Sequence, residues 1–149
     1  MQPTLTNPNK PLLVVEDSDQ DFVFLRKILA KLSVNNPVYR CTDGDEAIDF
    51  LYSQGDYDST AVPRPAVILL DLHLPGTDGK EVLKKVKQDQ RLKTIPIVVF
   101  TTSSDPQDIN CCYEYGANGY MLKPTDLANL KKTIQVFVDN WLEVSVLPR

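Results

Sequence analysis

The chain has 149 residues, of which 42% are apolar and 24% charged, and its formal net charge is −4. This length suits one domain with a single core, and the acidic balance disfavours binding to nucleic acid or to an anionic membrane. No apolar run reaches the roughly 18 residues of a membrane span, and the first ten residues lack the apolar core of a signal peptide. We therefore expect a cytoplasmic protein.

Predicted strands and helices alternate along the chain. Residues 1–9 are polar and contain two prolines, which predicts a flexible arm before a single domain over residues 10–149. Short apolar runs predict five strands, at residues 11–15, 37–41, 66–70, 95–102 and 119–122. Amphipathic segments predict five helices, at residues 17–32, 42–55, 78–89, 104–116 and 125–144. Because the strands are apolar throughout, we expect a parallel sheet covered by helices on both faces, in a doubly wound α/β fold.

The three cysteines, Cys41, Cys111 and Cys112, are too few and odd in number for a disulfide framework. The adjacent pair could form a redox or metal site, but the chain has only one histidine and no second cysteine pair. We expect all three to be small, partly buried residues with free thiols.

Polar side chains stand where the predicted strands end. Glu16 and Asp17 follow the first strand, Asp71 the third and Lys123 the fifth, and Thr101 lies at the end of the fourth. Ligands of open parallel sheets bind at this edge. Three carboxylates about 4 Å apart repel by roughly 4 kcal/mol per pair, so either a proton or a divalent cation such as Mg²⁺ is expected among them. Acids, a lysine and a hydroxyl together suit phosphoryl transfer, and a carboxylate can itself accept the phosphoryl group.

Each of these residues also has an ordinary structural explanation when it is taken alone. Asp71 could serve a turn, Glu16 and Asp17 could charge the start of a helix, Thr101 could be a strand residue and Lys123 a solvated loop residue. All of these explanations would have to hold at one edge of the sheet at once, which favours a shared site.

Four segments carry a resemblance to a known family. They follow one another at the ends of four predicted strands: VVEDSDQD, ILLDLHLPGTDG, VVFTTSS and ANGYMLKP. Together they resemble the receiver domain of two-component response regulators, over residues 10–143. The resemblance implies a flavodoxin-like fold with strand order 2-1-3-4-5. It also implies a signalling protein that is not an enzyme in its own right and whose partner is a sensor histidine kinase.

The same resemblance assigns roles to the acidic residues. Asp71 matches the phosphoacceptor, and Glu16 and Asp17 match the acidic pair that holds Mg²⁺ together with Asp71. The main-chain carbonyl of His73 matches a further metal ligand. His73 stands where the subfamily often has asparagine, so we expect its side chain to affect the rate of dephosphorylation.

Four further positions match the family. Thr101 and Lys123 match the two residues that contact the phosphoryl group, and Thr101 with Tyr120 matches the switch pair. The Lys123–Pro124 bond matches one that is usually cis in receivers. Thr102 stands where a smaller residue is more usual, and its added methyl group is expected to crowd the approach of the phosphoryl group.

The loop before the third strand and the C-terminal segment FVDNWLEVSVLP, called the tail below, point to one subfamily of receivers. They are similar to the small stand-alone regulators that partner bacterial, especially cyanobacterial, phytochrome histidine kinases. This implies a chain without an output domain that signals through protein contacts.

The last predicted helix is apolar over a wide arc. One stripe contains Leu127, Leu130, Ile134, Val138 and Trp141, and Val136, Phe137 and Val144 lie outside it. Either the tail folds back on its own domain, or the chain forms a homodimer through the fourth helix, fifth strand and fifth helix, with the tail reaching across. The resemblance favours the dimer.

Three other functions stay open at this point. One is an interaction module that works without phosphorylation, although such a module has no need for a complete acidic site. Another is a phosphatase of the haloacid-dehalogenase type, which requires a second aspartate where this chain has His73. The third is a flavin or nucleotide carrier, which requires a glycine-rich phosphate loop that the chain lacks.

Overall fold

The computed structural model describes residues 10–58 and 62–148, so the predicted arm at residues 1–9 lies outside the described residues. One parallel sheet has the order β2-β1-β3-β4-β5, which confirms the predicted topology. Its strands are β1 (Leu12–Val15), β2 (Val38–Cys41), β3 (Val67–Leu70), β4 (Ile97–Thr101) and β5 (Gly119–Leu122).

Five helices connect and follow the strands. They are α1 (Asp19–Lys31), α2 (Gly44–Tyr52), α3 (Gly79–Gln88), α4 (Pro106–Glu114) and α5 (Leu127–Phe137). A 3₁₀ turn (Gly55–Tyr57) lies between α2 and β3, and a π-helical segment (Val138–Val144) continues α5. No helix in the described part of the chain is long and apolar enough to cross a bilayer.

The sheet separates two apolar cores, because successive side chains of a strand point to opposite faces. In β1, Leu13 and Val15 pack with buried residues of α2, α3 and α4, whereas Leu12 and Val14 pack with those of α1 and α5. The three central strands, β1, β3 and β4, are buried along their whole length. The carboxyl ends of these rigid strands therefore hold the residues that follow them in fixed positions.

A side-chain oxygen caps the start of every helix of the doubly wound fold. The capping residues are Ser18, Asp43, Asp78, Asp105 and Asp126. Each satisfies a backbone N–H that has no partner within its helix.

Two helix ends differ in how well the sequence predicts them. Gly116 follows α4 with a φ of 102°, as expected of a helix stop. The predicted stop of α2 at Gly55 is wrong. The helix ends earlier because Ser53 adopts the left-handed conformation, and its N–H donates to the carbonyl groups of Asp49 and Phe50.

The C-terminal helix also departs from the predicted stripe. The α-helical hydrogen bonds give way to a π-helical segment only after Phe137. Phe137 itself lies three residues after the buried Ile134 in α5, so the two residues share one face of the α-helix. Phe137, expected outside the stripe, is buried with Val138 and Leu142 against α1. Part of the tail therefore folds back on its own domain, whereas Val144 and Val146 remain exposed.

All three cysteine thiols are free, as expected, and Cys41 and Cys112 are buried. Burial raises the pKa of the Cys41 thiol to about 12 and that of Cys112 to about 11, which disfavours the reactive thiolate. Neither residue has the environment of a redox centre.

Candidate functional site

The carboxyl ends of β1 and β3 bring the predicted acids together. Val15 pairs with Leu70 in the parallel ladder, so the next residues, Glu16 and Asp71, are also neighbours. The amide of Asp71 donates to the carbonyl of Val15 at 3.0 Å, which extends the ladder by one residue. The backbone of the central sheet thus determines the distance between these two carboxylates.

Glu16, Asp17 and Asp71 form a cluster suited to a metal ion. Each offers one carboxylate oxygen, and these oxygens lie within 4.8 Å of one another. Glu16 and Asp71 are only 5% and 6% exposed, whereas Asp17 is open to solvent. Hard oxygen ligands with one accessible side fit a partly hydrated divalent cation such as Mg²⁺. The sequence prediction that these three acids meet is confirmed.

Lys123 reaches the acids from the end of β5. Its ammonium nitrogen lies 2.5 Å from Glu16 Oε1, 2.8 Å from Asp71 Oδ2 and 3.0 Å from Asp21 Oδ2. An ammonium group has three donors, and each here meets a carboxylate. The sequence predicted Lys123 at the site but missed Asp21, which looks like an ordinary acid in the first turn of α1.

Burial and neighbouring charges shift the pKa values of Glu16 and Lys123. Burial raises the pKa of Glu16 to about 7, although the hydrogen bond and charge of Lys123 lower it and the charge of Asp71 raises it further. Burial alone lowers the pKa of Lys123, but the hydrogen bonds and charges of Asp71 and Glu16 outweigh this effect and leave its pKa raised. Lys123 therefore stays charged at neutral pH.

His73 contacts the cluster through its backbone. Its amide donates to Asp71 Oδ1 at 3.3 Å, while its side chain is exposed. The side chain lines an open groove together with Lys80 and Asp108, which form an ion pair. The role of the His73 carbonyl as a metal ligand stays a prediction.

The two predicted switch residues meet at the loop between β4 and α4. Thr101 is fully buried, and its hydroxyl accepts a long hydrogen bond of 3.5 Å from the amide of Ser103. The hydroxyl of Tyr120 donates to the carbonyl of Ser103 at 2.8 Å. Ser103 therefore connects the two side chains, and the described hydrogen bonds of Thr101 place it on this loop rather than on the acids.

Known proteins have this arrangement of sequence and fold. The model of the response regulator receiver domain family matches residues 12–135. The chain belongs to this family. The response regulator Rcp1 of Synechocystis sp. is 41% identical over 143 residues, which cover 96% of each chain.

Solved receivers superpose on nearly the whole chain. The Mn²⁺-bound form of Rcp1 has a TM-score of 0.88 and 41% identity, and the phosphorylated cyanobacterial phytochrome response regulator RcpA has a TM-score of 0.87 and 37% identity. Both alignments cover 94% of this chain and 99% of the other. A response regulator in red light signalling of R. palustris follows at a TM-score of 0.86, with 28% identity over 94% of this chain and 99% of that one. The chain is therefore a response regulator receiver similar to cyanobacterial phytochrome response regulators.

One expectation taken from the receiver resemblance is wrong. The described residues contain no cis peptide bond, so Lys123–Pro124 is trans. Trans is the form that bonds before proline prefer by about 0.5–1 kcal/mol. With this bond trans, the amide of Lys123 still donates to the carbonyl of Thr101 at 2.8 Å and its ammonium still reaches the acids.

Gly79 shapes the receiver site in a way that the sequence did not indicate. In the sequence Gly79 reads as a turn residue, but a Cβ atom at this position would lie 2.3 Å from the carbonyl oxygen of Asp71 and 2.6 Å from Leu72 Cα. The start of α3 thus packs directly on the backbone that carries Asp71. Gly76, with a φ of 69°, has the expected turn role.

Arg40 of β2 was also missed. Its Nε donates to the carbonyl of Glu16 at 3.0 Å, and its guanidinium pairs with Asp19 at 2.8 Å and lies over the ring of Phe22. The bond from Nε to the Glu16 carbonyl holds the loop that carries Glu16 and Asp17. In the sequence, Arg40 is only a polar residue in an edge strand.

Proposed function

We propose that Asp71 accepts a phosphoryl group from a sensor histidine kinase. One observation carries this assignment: the buried Asp71 carboxylate lies 2.8 Å from the Lys123 ammonium and within the acidic cluster. A charged lysine next to a nearly buried carboxylate neutralises the charge that an incoming phosphoryl group brings. The phosphorylated form of the relative RcpA supports the same role for this chain.

The chemistry is a direct transfer between two nucleophiles. A carboxylate oxygen of Asp71 attacks the phosphorus of the kinase phosphohistidine, so a P–O bond forms while the P–N bond breaks. The imidazole leaves with the electron pair of the P–N bond and takes up a proton. Lys123 balances the charge on the phosphoryl oxygens, and the Thr101 hydroxyl donates to one of them.

The residues that would hold the metal are Glu16, Asp17 and Asp71, with the carbonyl of His73 as a further ligand. The metal we propose is Mg²⁺, because carboxylate oxygens open to water on one side fit its preferred octahedral site. When bound, it supplies charge neutralisation to the phosphoryl oxygens. The Mn²⁺ in the structure of Rcp1 supports a divalent cation here.

We propose that Thr101 and Tyr120 transmit the phosphorylated state. Their shared contact with Ser103 supports this role, because movement of the Thr101 hydroxyl towards a phosphoryl oxygen disturbs the loop that holds the Tyr120 hydroxyl. Tyr120 then turns towards the space that Thr101 leaves, and the α4–β5 surface changes its packing.

The proposed partners follow from the relatives and from the surface. Similarity to RcpA supports a phytochrome-type kinase as donor, and we propose that the receiver passes the signal on through protein contacts. A homodimer through α4, β5, α5 and the tail would cover the exposed side chain of Val136 (58%) on α5. We propose that the exposed His73 imidazole affects how fast water removes the phosphoryl group.

Intact-mass spectrometry after incubation with acetyl phosphate and Mg²⁺ tests the proposed function. We expect the wild-type protein to gain the mass of one phosphoryl group, and the Asp71→Asn variant to gain none. Omission of Mg²⁺ should slow the reaction in the wild-type protein. Labelling of Asp71→Asn at the wild-type level would contradict the assignment of the acceptor.

A further inference from the structure

Asp21 supplies a third anionic partner to Lys123. Its Oδ2 lies 3.0 Å from the Lys123 ammonium, although the two residues are 102 positions apart in the chain. Asp21 is the third residue of α1, so the contact joins the first turn of this helix to the residue that follows β5. The ammonium is thereby held by Asp21 as well as by Glu16 and Asp71.

The start of α1 leaves the Asp21 carboxylate available for this contact. Ser18 caps the helix and accepts from the amide of Asp21 at 3.2 Å. In a capping box, an acid at this position would in turn accept from the amide of the capping residue. Here Glu16 accepts that bond instead, since the Ser18 amide donates to Glu16 Oε2 at 3.2 Å. The capping role therefore does not explain where the Asp21 side chain points.

Asp21 lies outside the set of acids that could hold a metal ion, which consists of Glu16, Asp17 and Asp71. A metal ion and a phosphoryl group at the site would give the oxygens of Glu16 and Asp71 other partners. Asp21 would then be the carboxylate left to contact the Lys123 ammonium.

We propose that Asp21 is a positioning residue that holds the ammonium of Lys123 beside Asp71 during phosphoryl transfer. This inference rests on the proposed function. An ammonium fixed on one side by an anion meets the phosphoryl oxygens without a search through other rotamers, which lowers the barrier of the transfer step. The effect falls on the maximum rate rather than on donor binding.

Because the Asp21 side chain is partly exposed, its substitution can change the rate of phosphoryl transfer without a large change in the stability of the fold. Its side chain is 45% exposed, and ion pairs at exposed positions contribute little to the stability of the fold. Asp19 offers a matched control, because it is an exposed acid in the same turn of α1 that pairs with Arg40 instead of Lys123. Both acids interact similarly with the helix dipole.

The test measures phosphorylation by acetyl phosphate with Mg²⁺ in Asp21→Ala, Asp21→Asn and Asp19→Ala. We expect Asp21→Ala to lower the maximum rate about three- to tenfold, with the half-saturating donor concentration within about twofold of wild type. Asp21→Asn keeps an oxygen acceptor and should recover part of the rate. Asp19→Ala should match wild type.

A second measurement detects the contact between Asp21 and Lys123 in protein that has not been phosphorylated. In the metal-free protein, NMR should show that the Lys123 ammonium protons exchange with water faster in Asp21→Ala than in wild type or Asp19→Ala. In a Lys123→Ala background, Asp21→Ala should cause no further loss of rate, because it acts through Lys123.

Several results would overturn the proposal. They are a wild-type maximum rate in Asp21→Ala, an equal loss in Asp19→Ala, or a full additional loss in the Lys123→Ala background. Wild-type protein that takes up no phosphoryl group would instead overturn the proposed function, and the role of Asp21 with it.

Discussion

The ammonium of Lys123 donates a 2.8 Å hydrogen bond to the carboxylate of Asp71, 52 residues earlier in the chain. The two residues follow β5 and β3, and β4 lies between these strands in the sheet. The ion pair therefore spans the carboxyl end of β4. Since Lys123 is only 10% exposed, this pair and its contact with Glu16 are largely shielded from water.

We predict that Lys123→Met destabilises the metal-free protein strongly. Loss of the ammonium leaves Glu16 and Asp71 buried without a positive partner, which costs about 3–5 kcal/mol. Mg²⁺ should reduce this loss, because a divalent cation neutralises the same acids. Urea denaturation with and without Mg²⁺ measures both effects.

The exposed Lys132 provides the control for that experiment, since Lys132→Met removes an equal charge from the surface of α5. We expect it to change the free energy of unfolding by less than about 0.5 kcal/mol. An equal loss for Lys123→Met in the presence and absence of Mg²⁺ would show that the acids are not the cause.

We predict that Asp17→Asn weakens Mg²⁺ binding without a loss of stability in the metal-free protein. Because its side chain is exposed, Asp17→Asn should leave the melting temperature of the metal-free protein nearly unchanged. The increase in melting temperature that Mg²⁺ causes in wild type should largely disappear, because one of three carboxylate ligands is lost. Asp19→Asn, two residues along the chain, should keep the full increase. The same increase in Asp17→Asn and wild type would remove Asp17 from the metal site.

Gly79→Ala tests the close packing of α3 on the backbone of Asp71. A Cβ atom 2.3 Å from the Asp71 carbonyl oxygen forces the backbone to move, so we expect a loss of about 1–3 kcal/mol in stability and slower phosphorylation. Gly76→Ala is the matched variant in the loop just before α3. It should also lower stability, because of its left-handed φ, but leave the rate of phosphorylation near wild type. Equal rates in the two variants would contradict the role assigned to Gly79.

Sedimentation equilibrium at micromolar concentration tests the proposed homodimer. We expect the wild-type protein to dimerise and Val136→Asp to shift it towards monomer, because a charge would be placed in an apolar interface. Val23→Asp places the same charge at an exposed apolar residue of α1 and should have no effect. A monomeric wild-type protein, with and without acetyl phosphate, would contradict the dimer.

Much of the site is predictable from the sequence because residues that directly follow parallel strands all lie at the same edge of the sheet. Glu16, Asp71 and Lys123 each stand directly after a short apolar run, and the carboxyl ends of parallel strands lie at one edge. Their meeting therefore requires only the identification of the strands. The four family segments then assign each residue a role.

The residues that the sequence did not indicate depend on contacts between distant backbones. Asp21 reads as a helix-start acid because its partner is 102 residues away, and Gly79 reads as a turn residue because nothing in its neighbours shows that α3 approaches Asp71. The burial of Phe137 is different, because it follows from α-helical spacing: Phe137 lies three residues after the buried Ile134, and a single apolar stripe through Val138 overlooks it.

The most direct test of the account is to locate the phosphoryl group on the chain. Protein treated with acetyl phosphate and Mg²⁺ is reduced with borohydride, which converts an acyl phosphate of aspartate into homoserine, and is then digested and sequenced by tandem mass spectrometry. We predict homoserine at position 71, and unmodified Glu16, Asp17 and Asp21. Homoserine at another aspartate, with Asp71 unchanged, would contradict the claim that Asp71 is the phosphoacceptor.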